Sequence, residues 1–208
     1  AGVRVIDGAG KWVTPGLIDA HTHLGDVSIP SDGLETGFNE ATNPDTAQLF
    51  IENAVWPQSP DFARMRAAGV TTVQILPGST NVFGGRTVVL KTVPAATVQA
   101  MKFPGAPYGM KMVCGENPAR TYGGKGREPM TRAAVIADMR SGYAAGRDYL
   151  DRWRSYVAKR DAGQSAEPPR RDLQAEALAG VVAGTININM HCYRSDDMAN
   201  ALDAAAEF

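Results

Sequence analysis

Cysteine, net charge and long apolar runs are all scarce in this sequence of 208 residues. Two cysteines, Cys114 and Cys192, cannot form a disulfide framework, and no C-x-x-C spacing suggests a structural zinc finger. With 21 basic against 22 acidic residues, the net charge of −1 argues against a protein that binds nucleic acid or an anionic membrane. No apolar run reaches the roughly 18–20 residues of a membrane span, and no secretory signal opens the chain.

The remaining composition is typical of a folded α/β protein. Hydrophobic residues make up 44% of the chain, and 22 glycines and 13 prolines indicate many tight connections. Apolar and β-branched runs predict strands at 3–6, 12–13, 17–21, 70–76, 87–92, 108–113 and 186–191. Capping residues and helical periodicity predict helices at 45–54, 60–68, 131–159, 173–182 and from 195 onward. This alternation of strands and helices predicts parallel β/α units.

Two histidines close the first strongly apolar strand, in the segment Asp19-Ala20-His21-Thr22-His23. Residues two apart in a strand point to the same face, so His21 and His23 can meet one ion. Neutral imidazole is a common ligand of zinc, and parallel β/α barrels carry their chemistry at the carboxyl ends of strands. An H-x-H pair also arises by chance, and two histidines without a metal remain the alternative.

The surroundings of this pair resemble a known family. The segment Val5 to Gly8, followed by the segment Val13 to Gly25, is similar to the opening signature of the metal-dependent amidohydrolase superfamily. The resemblance implies a (β/α)₈ TIM barrel, of which this chain holds about strands one to five, plus a remnant of a small β-domain. Residues 1–14 are then the end of that β-sandwich domain, and residues 15–208 the N-terminal part of the barrel.

The same resemblance implies further metal ligands. A histidine at the end of barrel strand five binds the second metal in this family, and His191 matches it. The family also places an acidic bridging ligand after strand four, often a lysine carboxylated on its side-chain nitrogen. Lys111 lies within an apolar run, where an ammonium ion is expensive to bury, and resembles that lysine; Glu116 is the alternative. The predicted ligands of Zn²⁺ or another divalent metal, as one or two ions, are therefore His21, His23, Lys111 and His191.

Substrate contacts are predicted around the same strand ends. Tyr193 and Arg194 follow His191 directly and join Lys111 as predicted catalytic residues, with an ordinary surface loop as the alternative. Asn81 and Arg86 lie in the glycine-rich segment 77–86, where Arg86 is a candidate to bind a carboxylate. That segment lacks a phosphate-binding spacing.

The resemblance implies a hydrolase that cleaves C–N bonds with a metal-activated water. The imidazolonepropionase-like and dipeptidase-like branch favours a cyclic amide or a dipeptide as the small-molecule substrate, and a catalytically inactive binding or scaffold module is the alternative. No nucleic-acid or membrane partner is expected, and a homo-oligomer remains open. The rest of the barrel is expected from the same protein, and residues 1–208 alone are expected to be inactive.

Overall fold

The computed structural model describes residues 2–27 and 37–208. In chain order the elements are β1 (Leu17–Thr22), a 3-10 turn (Ile51–Asn53), α1 (Pro60–Ala67), β2 (Val70–Ile75), β3 (Phe83–Arg86), β4 (Val88–Lys91), α2 (Val98–Met101), β5 (Gly109–Val113), α3 (Glu116–Gly123), α4 (Arg132–Asp161), α5 (Leu173–Val182), β6 (Asn187–His191) and α6 (Ser195–Ala206). Across the described ranges, none of these helices combines the length and apolarity that a membrane crossing requires.

The described strands form two three-stranded sheets, in the orders β1-β2-β4 and β3-β5-β6. The pairs β1–β2 and β5–β6 are parallel, as the β/α alternation predicts. Within the described ranges β1 and β6 each pair with one strand, and no closed barrel is formed. The α/β class is therefore confirmed, whereas the complete (β/α)₈ arrangement stays a prediction.

The predicted strand 87–92 forms, but its direction differs from the prediction. β4 runs antiparallel to β2, and β3, which lies in the glycine-rich segment where no strand is predicted, runs antiparallel to β5. Residues 76–87, which connect β2 to its partner β4, contain β3 and no helix. A parallel return usually needs a helix in a crossover of a dozen residues or more, so β4 pairs with β2 in the antiparallel direction.

The hydrophobic core lies where helices cover the sheets. Alternate residues of β5 and the segment that follows it, Met110, Met112 and Cys114, pack with helices α4, α5 and α6 in the larger cluster. A second cluster joins β2 and β4 to α1 and α2. Because side chains alternate along a strand, Lys111 faces away from the helices, toward the inner surface of the sheet.

The inner surface is polar and connects the two sheets. The Gln74 amide of β2 donates to Thr87 Oγ1 at 2.9 Å and to Asn189 Oδ1 of β6 at 3.2 Å. Lys111 and Asn189 are register partners on β5 and β6. Polar side chains of β2 and β6 therefore meet on this inner surface, beside Lys111 of β5.

Three local predictions are wrong: the strands at 3–6 and 12–13 and the helix at 45–54. The two strands lack a pairing partner, and the helical segment pairs with a strand instead. Residues 2–16 contain no strand, and Val5 and Trp12 are almost fully exposed, because no second strand pairs with them. The assignment of residues 1–14 to a small β-domain stays a prediction. The predicted helix 45–54 is reduced to the 3-10 turn, since Asp45 and Phe50 form bridges to β3 instead.

The predicted helices outside that segment are confirmed. Thr131 Oγ1 accepts the Ala134 N–H at the start of α4, and Ser59 Oγ accepts the Asp61 N–H at the start of α1. Helix α3, however, follows Gly115 in a region where no helix is predicted.

Asn81 secures the loop around residues 40–46. It is 2% exposed, and its amide donates to the Glu40 and Asn43 carbonyls and to Thr46 Oγ1, while its oxygen accepts from Tyr122 and Thr80. Asn81 is therefore a structural residue.

Replacing Asn81 by leucine is expected to lower the free energy of unfolding by several kcal/mol, because each buried partner that loses its hydrogen bond costs about 1–3 kcal/mol. Urea unfolding measures the loss. The control is Asn200→Leu on the exposed face of α6, which is expected to change stability by no more than about 0.5 kcal/mol. Equal shifts in both variants would contradict this role for Asn81.

Candidate metal centre

Four predicted site residues come together at the inner surface of the sheets. We call His21, His23, Lys111 and His191 the histidine–lysine cluster. His21 lies on β1 and His23 directly follows it, while Lys111 is the middle residue of β5 and His191 the last residue of β6. Lys111 Nζ lies 3.2 Å from His21 Nε2, and the ring centroids of His21 and His23 are 5.7 Å apart.

His23 is held by its backbone surroundings. Its Nδ1 lies 2.8 Å from the carbonyl oxygen of Leu76, to which it donates. A neutral imidazole carries one N–H and one lone pair, so this bond leaves the Nε2 lone pair of His23 free to bind a cation. No sequence signal points to Leu76, because its contribution is a backbone carbonyl just after β2.

The three histidines are predisposed to the neutral form. Burial lowers the pKa of His21, His23 and His191, and the nearby charge of Lys111 lowers each of them further. The hydrogen bond to Leu76 opposes this effect only at His23. Neutral imidazole is the form that binds metal ions.

Lys111 is the chemically unusual member. Its side chain is fully buried, and burial lowers the pKa of its amine to about 8. A buried ammonium ion without a carboxylate partner is costly, so the amine is closer to its neutral, nucleophilic form than an ordinary lysine.

Glu116, the alternative bridging residue, has another contact. Its Oε2 lies 2.8 Å from Arg132 Nη2, and Arg132 also contacts the buried carboxylate of Asp197 at 3.1 Å. Glu116 is close enough to His191 to oppose the fall in its pKa. Its carboxylate is nevertheless occupied by Arg132.

Of the residues predicted to contact substrate, only some lie near the cluster. Tyr193 reaches the cluster, with its ring edge-on to His191 at a centroid distance of 4.6 Å, and is 60% exposed. Arg194 is exposed at the start of α6 and pairs with Asp196 at 2.6 Å. Arg86 stacks over Phe50 at 5.4 Å.

The two cysteines lie on the opposite face from the cluster. Cys114 and Cys192 follow the register partners Val113 and His191, and the structure joins them in a disulfide with a Cα–Cα distance of 5.2 Å. The disulfide packs in the larger core cluster, on the helix-covered side of the sheet.

Comparisons with known proteins point to one superfamily. The chain is 29% identical, over 98% of its length, to amidohydrolase tasK of Hapsidospora irregularis, and 36% identical over 36% of its length to an imidazolonepropionase of Ralstonia nicotianae. A crystal structure of an amidohydrolase from Thermotoga maritima superposes on the whole chain with a TM-score of 0.83 at 30% identity. The chain is related to the amidohydrolase superfamily.

The relationship covers only part of the known proteins. The chain spans 22% of the length of each of these two curated proteins and 54% of the Thermotoga maritima chain. No protein-family model matches it. The predicted superfamily is thus confirmed, while the predicted ligand roles of the individual residues stay predictions.

Proposed function

We propose that the protein is a hydrolase of C–N bonds that works at a divalent-metal centre built from the histidine–lysine cluster. The single observation that carries this proposal is the convergence of His21, His23 and His191 with the buried amine of Lys111. Three strands from both sheets supply these side chains. The names of the related proteins, amidohydrolase and imidazolonepropionase, support hydrolysis of C–N bonds.

We propose that Lys111 completes the donor set. Within residues 2–27 and 37–208, no group of three or more His, Cys, Asp or Glu side chains is by itself arranged to hold a metal ion. The three histidines alone are therefore not a complete site. An unmodified lysine with its proton cannot bind a cation, so the amine has to become an anion.

Carboxylation of Lys111 supplies this anion. The neutral amine attacks the carbon of CO₂, an N–C bond forms as one C=O π pair moves to oxygen, and one N–H proton leaves to water. The product would carry a negative charge where the lysine carried a positive one, and a divalent metal held by the cluster would pair with it, which removes the desolvation conflict. The lowered pKa of Lys111 favours the step.

The chain's own residues then have separate tasks. His23 presents its Nε2 lone pair, held by the bond from Nδ1 to Leu76, and His21 lies beside Lys111. Tyr193 borders the cluster from the open side, where its hydroxyl can contact a substrate. A bound divalent metal supplies Lewis acidity, which lowers the pKa of a water molecule and polarises the bond to be cleaved.

The substrate we propose is a cyclic amide or a dipeptide. We further propose that additional strands of the same protein pair with β1 and β6 and complete a barrel. Leu17 and Ile18 of β1 are 58% and 72% exposed, which is unusual for apolar residues of a parallel strand.

Metal analysis of the intact protein tests the metal centre. After zinc loading and dialysis, the wild type is expected to retain at least about one ion per chain. The double variant His21→Ala/His23→Ala is expected to retain almost none, because both imidazoles are lost. The matched control is Lys91→Met on the exposed end of β4, which is expected to bind zinc like the wild type.

Hydrolysis of a panel of dipeptides and cyclic amides completes the test. Turnover that requires zinc and disappears in the double variant is the expected result. Zinc retention without turnover of any C–N bond would instead indicate an inactive binding module. Equal zinc content in the wild type and the double variant would refute the metal centre.

A further inference from the structure

A cavity of about 330 Å³ borders the histidine–lysine cluster, and two of its lining residues, Phe38 and Gly84, contact cluster members. The Phe38 ring lies against the His23 ring at a centroid distance of 5.5 Å. A Cβ at Gly84 would lie 3.4 Å from Lys111 Cγ, so the backbone of Gly84 separates the cavity from that lysine. A substrate whose reacting bond lies at the cluster can therefore extend a substituent into this cavity.

The lining of the cavity is mainly apolar and carries little charge. Leu49 and Phe50 line it and are 39% and 36% exposed, and Phe38 is half-buried. Among the described residues that line the cavity, Glu40 is the only charged one, and its Oε1 accepts from Thr42 Oγ1 at 2.6 Å. Because no lysine or arginine lies in that lining, a carboxylate inside the cavity would have no positive partner.

Backbone contacts hold Phe38 in its place beside His23. The Gly78 N–H donates to the Phe38 carbonyl at 2.6 Å, and Asn39 Oδ1 lies 2.8 Å from Thr80 Oγ1. A Cβ at Gly78 would lie 2.5 Å from the Phe38 ring and 2.4 Å from Asn39 Oδ1. The absence of a side chain at Gly78 thus lets the aromatic ring pack closely against this turn.

The residues that follow Phe38 are fixed by the end of α3. The Tyr122 hydroxyl donates to the Asn43 carbonyl at 2.8 Å, and Lys125 Nζ donates to the Ala41 carbonyl at 2.6 Å. The wall of the cavity is therefore held on both sides of residue 40. A preformed wall of this kind is typical of sites that bind small molecules.

We propose that Phe38 determines specificity, and that the cavity takes an uncharged, apolar side chain of the substrate, such as that of leucine or phenylalanine. The proposal rests on the proposed function, because it places the C–N bond to be cleaved at the cluster. An apolar side chain in the cavity removes the exposed surfaces of Leu49 and Phe50 from water. An acidic side chain would lose its hydration close to Glu40 and gain no positive partner.

Turnover of matched substrates by the intact, zinc-loaded protein tests the proposal. The panel consists of dipeptides of glycine in both orders, and of hydantoins, that carry the side chain of alanine, leucine, phenylalanine, lysine or glutamate. For the leucine and phenylalanine compounds, kcat/KM is expected to exceed that for alanine about 10–100-fold, as expected for filling an apolar pocket. The glutamate compounds are expected to be the poorest substrates.

Two variants and one control connect this preference to the cavity. Phe38→Ala is expected to lose most of the preference for leucine and phenylalanine over alanine, with the zinc content unchanged. Asn53→Trp fills the cavity from its exposed rim and is expected to lower kcat/KM for the phenylalanine compounds more than for the alanine compounds. The control is Phe103→Ala, which removes another exposed aromatic ring, stacked with Lys91, and is expected to keep the wild-type ratios.

A binding measurement separates the cavity from the proposed hydrolysis. Ligand-observed NMR compares N-acetylphenylalaninamide with N-acetylalaninamide on the zinc-free protein, and only the first is expected to bind, more weakly in Phe38→Ala and Asn53→Trp. Selective binding without turnover of any compound would refute the proposed function and leave the preference of the cavity intact.

Equal kcat/KM for the alanine, leucine and phenylalanine compounds would overturn the proposal, as would a preference for lysine or glutamate. An unchanged preference in folded Phe38→Ala would also overturn the role of Phe38. If Phe38→Ala does not fold, Asn53→Trp decides, because its substitution lies on the exposed rim; unchanged ratios and unchanged amide binding in that variant would refute the cavity as the side-chain site.

Discussion

Lys111→Met is expected to lower hydrolysis by the intact protein at least about 100-fold. Loss of a residue that only orients a metal ligand costs about 10–100-fold, and loss of a ligand itself is expected to cost more. Methionine fills a similar volume at this fully buried position, so the fold is expected to survive. The rate of substrate turnover and the zinc content are measured on the same preparations.

Two further variants test whether the loss of hydrolysis is specific to Lys111. Lys91→Met removes a lysine from the exposed end of β4 and is expected to leave turnover unchanged. Glu116→Gln tests the alternative bridging residue, and a modest loss is expected because Glu116 pairs with Arg132. Full activity in Lys111→Met, combined with loss in Glu116→Gln, would transfer the bridging role to Glu116.

The parts of the site that can be predicted from sequence are those with local spacing. His21 and His23 share a face because two residues separate them on a strand, and Lys111 stands out because a charged residue interrupts an apolar run. Both features depend on neighbours in the chain alone. Their meeting with His191 depends on the order of strands, which the family resemblance supplied.

The parts that escape prediction depend on distant contacts. The 45–54 segment has helical periodicity, yet it pairs with β3, because Thr46 donates its N–H to the Phe83 carbonyl at 2.8 Å. Arg86 and Arg194 carry the charge that a substrate carboxylate needs, but neighbouring groups hold both elsewhere. Helix α3 escapes prediction because it begins directly after a turn at Gly115.

Lys111→Met is also expected to stabilise the metal-free protein, by on the order of 3 kcal/mol at pH 7. Burial lowers the pKa of Lys111 from its ordinary value of 10.5 to about 8, and each pKa unit corresponds to about 1.4 kcal/mol. A residue that is required for function but costs stability is typical of active sites. Urea unfolding in a chelator and in buffer free of CO₂ measures the effect.

The pH dependence of the free energy of unfolding shows whether burial of Lys111 destabilises the folded chain. Between pH 8 and 10.5 the unfolded chain binds a proton at Lys111 that the folded chain has lost, so the wild type gains stability as pH rises through this window. Below pH 8 both states are protonated and the full burial penalty applies. Lys111→Met is expected to abolish the rise in stability between pH 8 and 10.5. The variant is expected to be more stable than the wild type mainly below this pH window.

Lys102→Met is expected to change the free energy of unfolding in the opposite direction from Lys111→Met. Lys102 Nζ lies 2.8 Å from Glu52 Oε1 and also contacts Tyr108; burial lowers its pKa, but these hydrogen bonds outweigh the burial and raise it. Removing its charge is expected to destabilise the protein by about 1.5–3 kcal/mol, the worth of a hydrogen bond to a charged group. If Lys111→Met were destabilising to the same extent at pH 7, Lys111 would have a compensating partner in the folded chain, and its amine would lose the neutral character on which carboxylation depends.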